Sequence, residues 1–414
     1  GAFSSVQNNM ASPMDALAKK YEDIDLYNDS IEKLANEKFD PKLWMKQYNK
    51  LKEQREFYAI KALRIVVQEG TIKACENGKY WTADGTAVSL GDPLEIEQAI
   101  ARNHTVKQIP VNHFPKKYEN TVIEVLDQDC LEVALNLKLN QGLNPVVLNM
   151  ASMKRPGGGY RNGAGAQEEN LFRRTNYYQH LEHPSQFDFY PLPEFGGIYS
   201  PDVLVFRSSE DTGYAFLDKP VPMSFIALAA YTRPGLVNSK HSKEPLLQDK
   251  FADKTKNKIR AILNIALHHE HDSIVLSAFG CGAFANPPRH MARLFSQVLS
   301  EYNGSFKHVT FAIIDDANAH KAHNPDGNFL PFYEVFHGAV KKDSNSNVHK
   351  EGSNKSAPSN STKESNSNKE RSHSNNSNNN YTKKASNNNN NSSSQDNKSK
   401  DKTSKRQDDP PGWD

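Results

Sequence analysis

Two adjacent glutamates, Glu168 and Glu169, stand directly after Gln167 and seven residues beyond a glycine triplet, Gly157, Gly158 and Gly159. Paired carboxyl groups are equipment for acid–base chemistry. The charge of one disfavours ionisation of the other, and a carboxylic acid held neutral in this way can protonate the leaving oxygen of a glycosidic bond. Glycine triplets let a backbone take conformations closed to other residues and approach a ligand closely. Acids in the first turn of a helix also complement its dipole, and for Glu-Glu alone that explanation would suffice. The glycines and the apolar run before them tip the reading toward a site.

The flanking residues say how such a pair would be held. Pro145–Met150 is a short apolar, β-rich run long enough for one buried strand. Residues 151–166 contain Pro156 and five glycines, so neither helix nor strand is expected there. From Gln167 to Leu181 a helical pattern places Leu171, Phe172, Thr175 and Tyr178 on one face, with Glu168 and Glu169 in its first turn. Asn149, at the strand end, and Ser152, just beyond it, join Gln167 and the three glycines as candidate substrate-binding residues.

A second loop has the same build. The run Ser273–Ala278 ends in FGCGAFANPP, after which Met291, Leu294, Phe295, Val298 and Leu299 recur at helical spacing. Strand, glycine-rich turn and helix N-terminus together make a general device for phosphate. Gly280, Cys281, Gly282, Ala283 and Phe284 are the candidates it supplies. Further strand-like runs lie at 122–125, 203–206, 225–229 and 309–314, and helical patterns at 43–74, 130–139, 255–268 and 290–302. Alternating strands and helices argue for an α/β sandwich, in which ligands bind beyond the strand ends.

These segments resemble the bacterial or microbial-type poly(ADP-ribose) glycohydrolases. The likeness rests on LNMAS, PGGG and AQEE, then on GGIYSPDVLVFR (Gly196–Arg207), IVLSAFGCGAFANPP (Ile274–Pro288) and FAIIDD (Phe311–Asp316), and covers roughly residues 45 to 338. The resemblance implies a macrodomain: a three-layer α/β sandwich with a mixed central sheet and ADP-ribose in its cleft. It implies Glu169 as the acid and then the base that activates water, Glu168 on ribose hydroxyls, and Gln167 with the glycine backbone holding the loop. It also implies 280–284 as the diphosphate loop, with the Phe284 ring on the ribose beside the scissile bond. Asp129 falls near an acidic residue that contacts adenine in macrodomains, although a helix N-cap explains it as well. The implied partners are poly(ADP-ribose) or ADP-ribosylated proteins, with ADP-ribose as product and neither cofactor nor metal. Two other readings use the same cleft: a hydrolase of mono-ADP-ribosylated proteins, and an ADP-ribose-binding module without catalysis. The glutamate pair argues against the second.

Composition sets off an Asn/Ser/Lys-rich tail (341–414), and the resemblance implies a catalytic macrodomain (45–340) behind a helical N-terminal extension (1–44). The tail has too little apolar surface to offset its ordering entropy, so disorder is expected there. It carries 14 Lys+Arg against 9 Asp+Glu, leaving 37 against 40 in the rest, so the basic balance belongs to the tail and no broad nucleic-acid face is expected. Cys75, Cys130 and Cys281 have neither disulfide nor zinc spacing, and His268, His269 and His271 end an apolar-periodic helix, with no Cys or acid expected to complete a metal set. An odd thiol count, no apolar run of membrane length and no signal-peptide pattern at the start of the given sequence point to a reducing compartment, cytoplasm or nucleus.

Overall fold

The computed structural model describes residues 39–106, 114–240 and 243–338. The extension up to residue 38 and the tail from Lys341 lie outside the described residues. Asp40 caps helix α1 (Pro41–Glu53), its Oδ1 accepting the N–H groups of Lys42 and Leu43 at 2.8 and 3.2 Å. Helix α2 follows at Phe57–Glu76. One continuous helix over 43–74 was the expectation. The correction comes from Arg55, whose φ of 59° is left-handed and ends the first helix. Trp44 is fully buried and donates its indole N–H to Leu63 O at 3.0 Å, folding α1 back on α2. Helix α1 therefore runs across the expected boundary at residue 45.

A hairpin of β1 (Lys79–Trp81) and β2 (Ala87–Ser89), then α3 (Pro93–Ala101) and β3 (His104–Val106), come next; periodicity had not revealed them. The chain continues through β4 (Val122–Leu126), α4 (Cys130–Leu139), β5 (Pro145–Met150), α5 (Gln167–Arg174), α6 (Tyr177–Leu181), β6 (Gly197–Arg207) and β7 (Phe216–Leu228). It ends with the short pair β8 (Leu236–Val237) and β9 (Leu246–Leu247), then α7 (Asp249–His268), β10 (Ser273–Leu276), α8 (Pro288–Glu301), β11 (His308–Ala312) and α9 (Phe329–His337).

Seven strands form the central sheet in the order β3-β6-β7-β5-β10-β11-β4. From β7 to β4 all neighbours are parallel, while β3–β6 and β6–β7 are antiparallel, so the sheet is mixed. Alternation along the strands builds two cores. Val146, Leu148, Ile274 and Leu276 pack with Ile262 of α7 and Phe295 of α8. Val147, Val275 and Phe225 pack on the other side with Leu131 of α4 and Phe172 of α5. A sheet buried on both faces needs apolar residues at both parities, which is why these strands read as unbroken apolar runs. The expected three-layer sandwich is observed.

The helix expected over 167–181 is two. Thr175 is extended (φ −142°, ψ 170°) and bridges to Val205, so sheet pairing overrides helical continuation there. Strands β5 and β10 are parallel neighbours, so the loops leaving their C-terminal ends emerge side by side.

Candidate active site

The loop after β5 wraps the carboxyl pair. Glu168 and Glu169 are 4 % and 8 % exposed, and burial of two acids requires donors. Glu168 Oε2 accepts Ser152 N–H at 2.7 Å, and its Oε1 accepts Gly157 N–H at 3.1 Å and the Asn149 amide at 3.3 Å. Glu169 Oε1 accepts Gly159 N–H at 2.9 Å. Glu169 Oε2 is buried and has no donor. Burial, reinforced by the Glu169 charge, pushes the Glu168 carboxyl up to about 8, against the opposing pull of its three donors.

The glycine triplet is thus spent on the acids. Gly158 has φ +54°, and a Cβ there would stand 2.6 Å from Glu169 Oε1, so the backbone lies against the pair. Gln167 fastens the start of α5 to the strand: its Oε1 accepts Met150 N–H at 2.9 Å and its amide donates to Leu148 O at 2.7 Å. Ser152 serves through its backbone, while its hydroxyl accepts Lys154 N–H at 3.3 Å.

The other end of α5 is held by two buried arginines that sequence reasoning did not single out. Arg174 bridges Asp129 (2.6 Å) and Glu132 (2.9 Å), and Arg173 donates to Tyr214 hydroxyl (3.0 Å) and Ala164 O (2.7 Å). Their position in the last turn of a short helix was visible, but their partners lie up to 45 residues away. Asp129 is the N-cap of α4, accepting Leu131 and Glu132 N–H at 2.9 and 3.0 Å.

The loop after β10 is held from within by Asn286. Its amide donates to Tyr231 O (2.8 Å), Gly280 O (3.0 Å) and Phe284 O (3.3 Å). Gly280 has φ +75°, and a Cβ there would meet Ala230 and Asn286 at 2.6 Å. A Cβ at Gly282 would make only ordinary contact, with Asn318 Cβ at 3.7 Å. Among the described residues no acceptor takes the N–H of Gly282, Ala283 or Phe284, which leaves three consecutive donors for an anion. The N-terminus of α8 contributes less than its position suggested. Pro287 and Pro288 have no N–H, and Arg289 N–H is already taken by Glu244 at 2.8 Å. Cys281 turns its thiol into the core, toward Phe279 O at 3.6 Å, and Phe284 is half-buried. Asp315 is occupied as a cap, accepting Asn328 and Phe329 N–H at 2.6 and 3.2 Å.

Residues 68–208, which span the glutamate pair and its glycine loop, match the family model of the microbial-type PARG catalytic domain. Over that stretch the chain resembles the microbial-type poly(ADP-ribose) glycohydrolases. The fold is similar to that of the poly(ADP-ribose) glycohydrolase from Thermomonospora curvata, with 27 % identity and a TM-score of 0.54 over 66 % of this chain and 99 % of the other. The Thermomonospora curvata enzyme bound to the inhibitor ADP-HPD is similar at 28 % identity and a TM-score of 0.53, over 66 % and 98 % of the two chains. No curated protein sequence matches this chain. Among its described residues no helix is long and apolar enough to cross a membrane.

Proposed function

We propose that the chain hydrolyses the O-glycosidic ribose–ribose bonds of poly(ADP-ribose) and releases ADP-ribose, with Glu169 as general acid and then as the base that activates water. One observation carries the assignment to Glu169: its Oε2 is the single oxygen of the buried pair that no donor occupies. Burial and the Glu169 charge push the Glu168 carboxyl up to about 8, so the pair carries a proton near neutral pH. Both oxygens of Glu168 already accept N–H groups, so the proton is best delivered from Glu169 Oε2. The leaving ribose oxygen takes it as the bond breaks, and the carboxylate then removes a proton from the attacking water.

The remaining candidates serve binding. The free N–H groups of 282–284 suit the diphosphate, with Phe284 set against the adjoining ribose. Asn149, whose Oδ1 is buried without a partner, suits a ribose hydroxyl together with Glu168. Gly280 and Cys281 shape the loop, and Gln167 and Gly157–Gly159 keep the pair in register. Three free, buried cysteines are in keeping with a reducing compartment, cytoplasm or nucleus. Incubation with poly(ADP-ribose) and, separately, with mono-ADP-ribosylated protein tests the reading. Release of ADP-ribose from the polymer is expected. Release from the mono-modified protein alone, or ADP-ribose binding without release from either, would replace it.

A further inference from the structure

His268, His269 and His271 crowd the end of α7 in sequence but part ways in the fold. His271 is taken by its surroundings, Nδ1 lying 2.9 Å from Asn144 O and Nε2 2.9 Å from the Tyr199 hydroxyl. His269 meets a residue 165 positions away. It lies flat on the Tyr199 ring, centroids 3.6 Å and planes 3° apart, and its Nε2 stands 3.1 Å from Nε2 of His104. His104 opens the edge strand β3, and its Nδ1 is 3.0 Å from Arg102 O. A carbonyl only accepts, so Nδ1 carries the ring proton and Nε2 of neutral His104 presents its lone pair. This is the tautomer that a backbone carbonyl enforces on metal-binding histidines.

The contact is within hydrogen-bond range, a His269 Nε2–H facing the His104 lone pair, and the ring separation shows that it is bent rather than head-on. Two rings joined head-on at this N···N distance would have centroids about 5.4 Å apart, each centroid lying about 1.15 Å behind its nitrogen. Two nitrogens converging on one ion at about 2.05 Å would bring the centroids to about 4.8 Å. The observed separation is 4.9 Å, with the planes at 53°.

We propose that His104 and His269 form a two-histidine clip for a divalent transition ion, Zn²⁺ above all, that fastens the edge strand β3 to the end of α7. Solvent completes the coordination shell, because among the described residues no group of three or more His, Cys, Asp or Glu converges on one point. Imidazole donors select zinc, nickel and copper over magnesium. The clip precedes the N-terminal end of β10, whereas the loops of the active site follow strand C-termini. Occupancy therefore stabilises the strand edge and leaves the carboxyl pair untouched.

The test uses the full chain stripped with EDTA, then titrated with Zn²⁺ or Mg²⁺ while heat of binding and melting temperature are followed. Zn²⁺ should raise the melting temperature and Mg²⁺ should not. His104→Gln and His269→Gln should each weaken Zn²⁺ binding at least about tenfold and remove the thermal shift. Should His269→Gln fail to fold through loss of its ring stacking, His104→Gln decides alone, since that residue is half-buried on an edge strand. Equal Zn²⁺ affinity and equal thermal shift in wild type and His104→Gln would overturn the proposal by placing the ion elsewhere. Absence of Zn²⁺ binding in the wild type would overturn it outright.

Discussion

Glu169→Gln should silence the enzyme while leaving the protein intact, and the structure gives the size of both effects. Glu169 has one hydrogen-bond partner, Gly159 N–H on Oε1 at 2.9 Å. A glutamine keeps an oxygen there, and its NH₂ takes the place of Oε2, where no N–H opposes it. The loss of stability should stay within about 1 kcal/mol, and ADP-ribose affinity should change little. Turnover loses its proton donor, a cost of roughly 10²–10⁴-fold, or about 2.7–5.5 kcal/mol in the barrier. Glu168→Ala provides the contrast. It strips the acceptor from Ser152 N–H, Gly157 N–H and the Asn149 amide, and three buried donors left unmet cost at least about 3 kcal/mol. Chromatography of released ADP-ribose, calorimetry with ADP-ribose and thermal melts separate the two variants. Near-wild-type turnover in Glu169→Gln would refute the assignment of the acid. A melting temperature that falls as far as in Glu168→Ala would refute the claim that Oε2 is unengaged.

The pH profile should show an alkaline limb. Burial and the Glu169 charge raise Glu168 to about 8, so kcat/KM should fall as pH rises through that value and the ribose-binding carboxyl gains its charge; a flat profile from pH 6 to 10 would count against Glu168 acting in the site. Gly282→Glu should fold normally, since a Cβ there makes only ordinary contact with Asn318, yet lose ADP-ribose affinity through like charge. Gly280→Ala should lower the melting temperature as well, because its φ is positive and its Cβ would overlap Ala230 and Asn286. Calorimetry and melts on the two variants check this. EDTA should leave turnover at room temperature unchanged, because the proposed step relies on carboxyl groups alone; a rate that collapses with chelator and returns with Mg²⁺ would point to metal-assisted hydrolysis. Truncation after Lys341 should preserve melting temperature and hydrolysis, with at most a higher KM for long polymer at low salt, since the removed residues are basic in balance. A marked drop in melting temperature would move the domain boundary.

Much of the site was legible because its chemistry is local. Gly157 to Glu169 is one continuous stretch, and every backbone donor on the carboxyl pair comes from within 16 residues of it. The strand–loop–helix pattern around Gly280–Pro288 was legible for the same reason. The sheet was readable from its apolar runs, but its antiparallel flank was not, because β3 is three residues long and half-buried throughout. Continuous helices were over-read wherever one residue departs from helical backbone without a proline or glycine to announce it, as Arg55 and Thr175 do.

The hidden part is positioning, and it is hidden because it is long-range. Arg64 holds Glu210 across 146 residues with two bonds of 2.7 and 2.9 Å, and Tyr48 and Tyr214 donate to the same carboxylate. Those bonds pull Glu210 down to about 2 in spite of its burial. Tyr214 in turn accepts from Arg173, the residue that ends the glutamate helix. Helices α1 and α2, at the start of the described residues, therefore reach the carboxyl pair through three side chains: Arg64, Glu210 and Tyr214 lead to Arg173 and so to α5. A motif records which groups perform the chemistry. Fixing where they stand depends on residues whose types alone, an arginine here and a tyrosine there, carry no mark of the task.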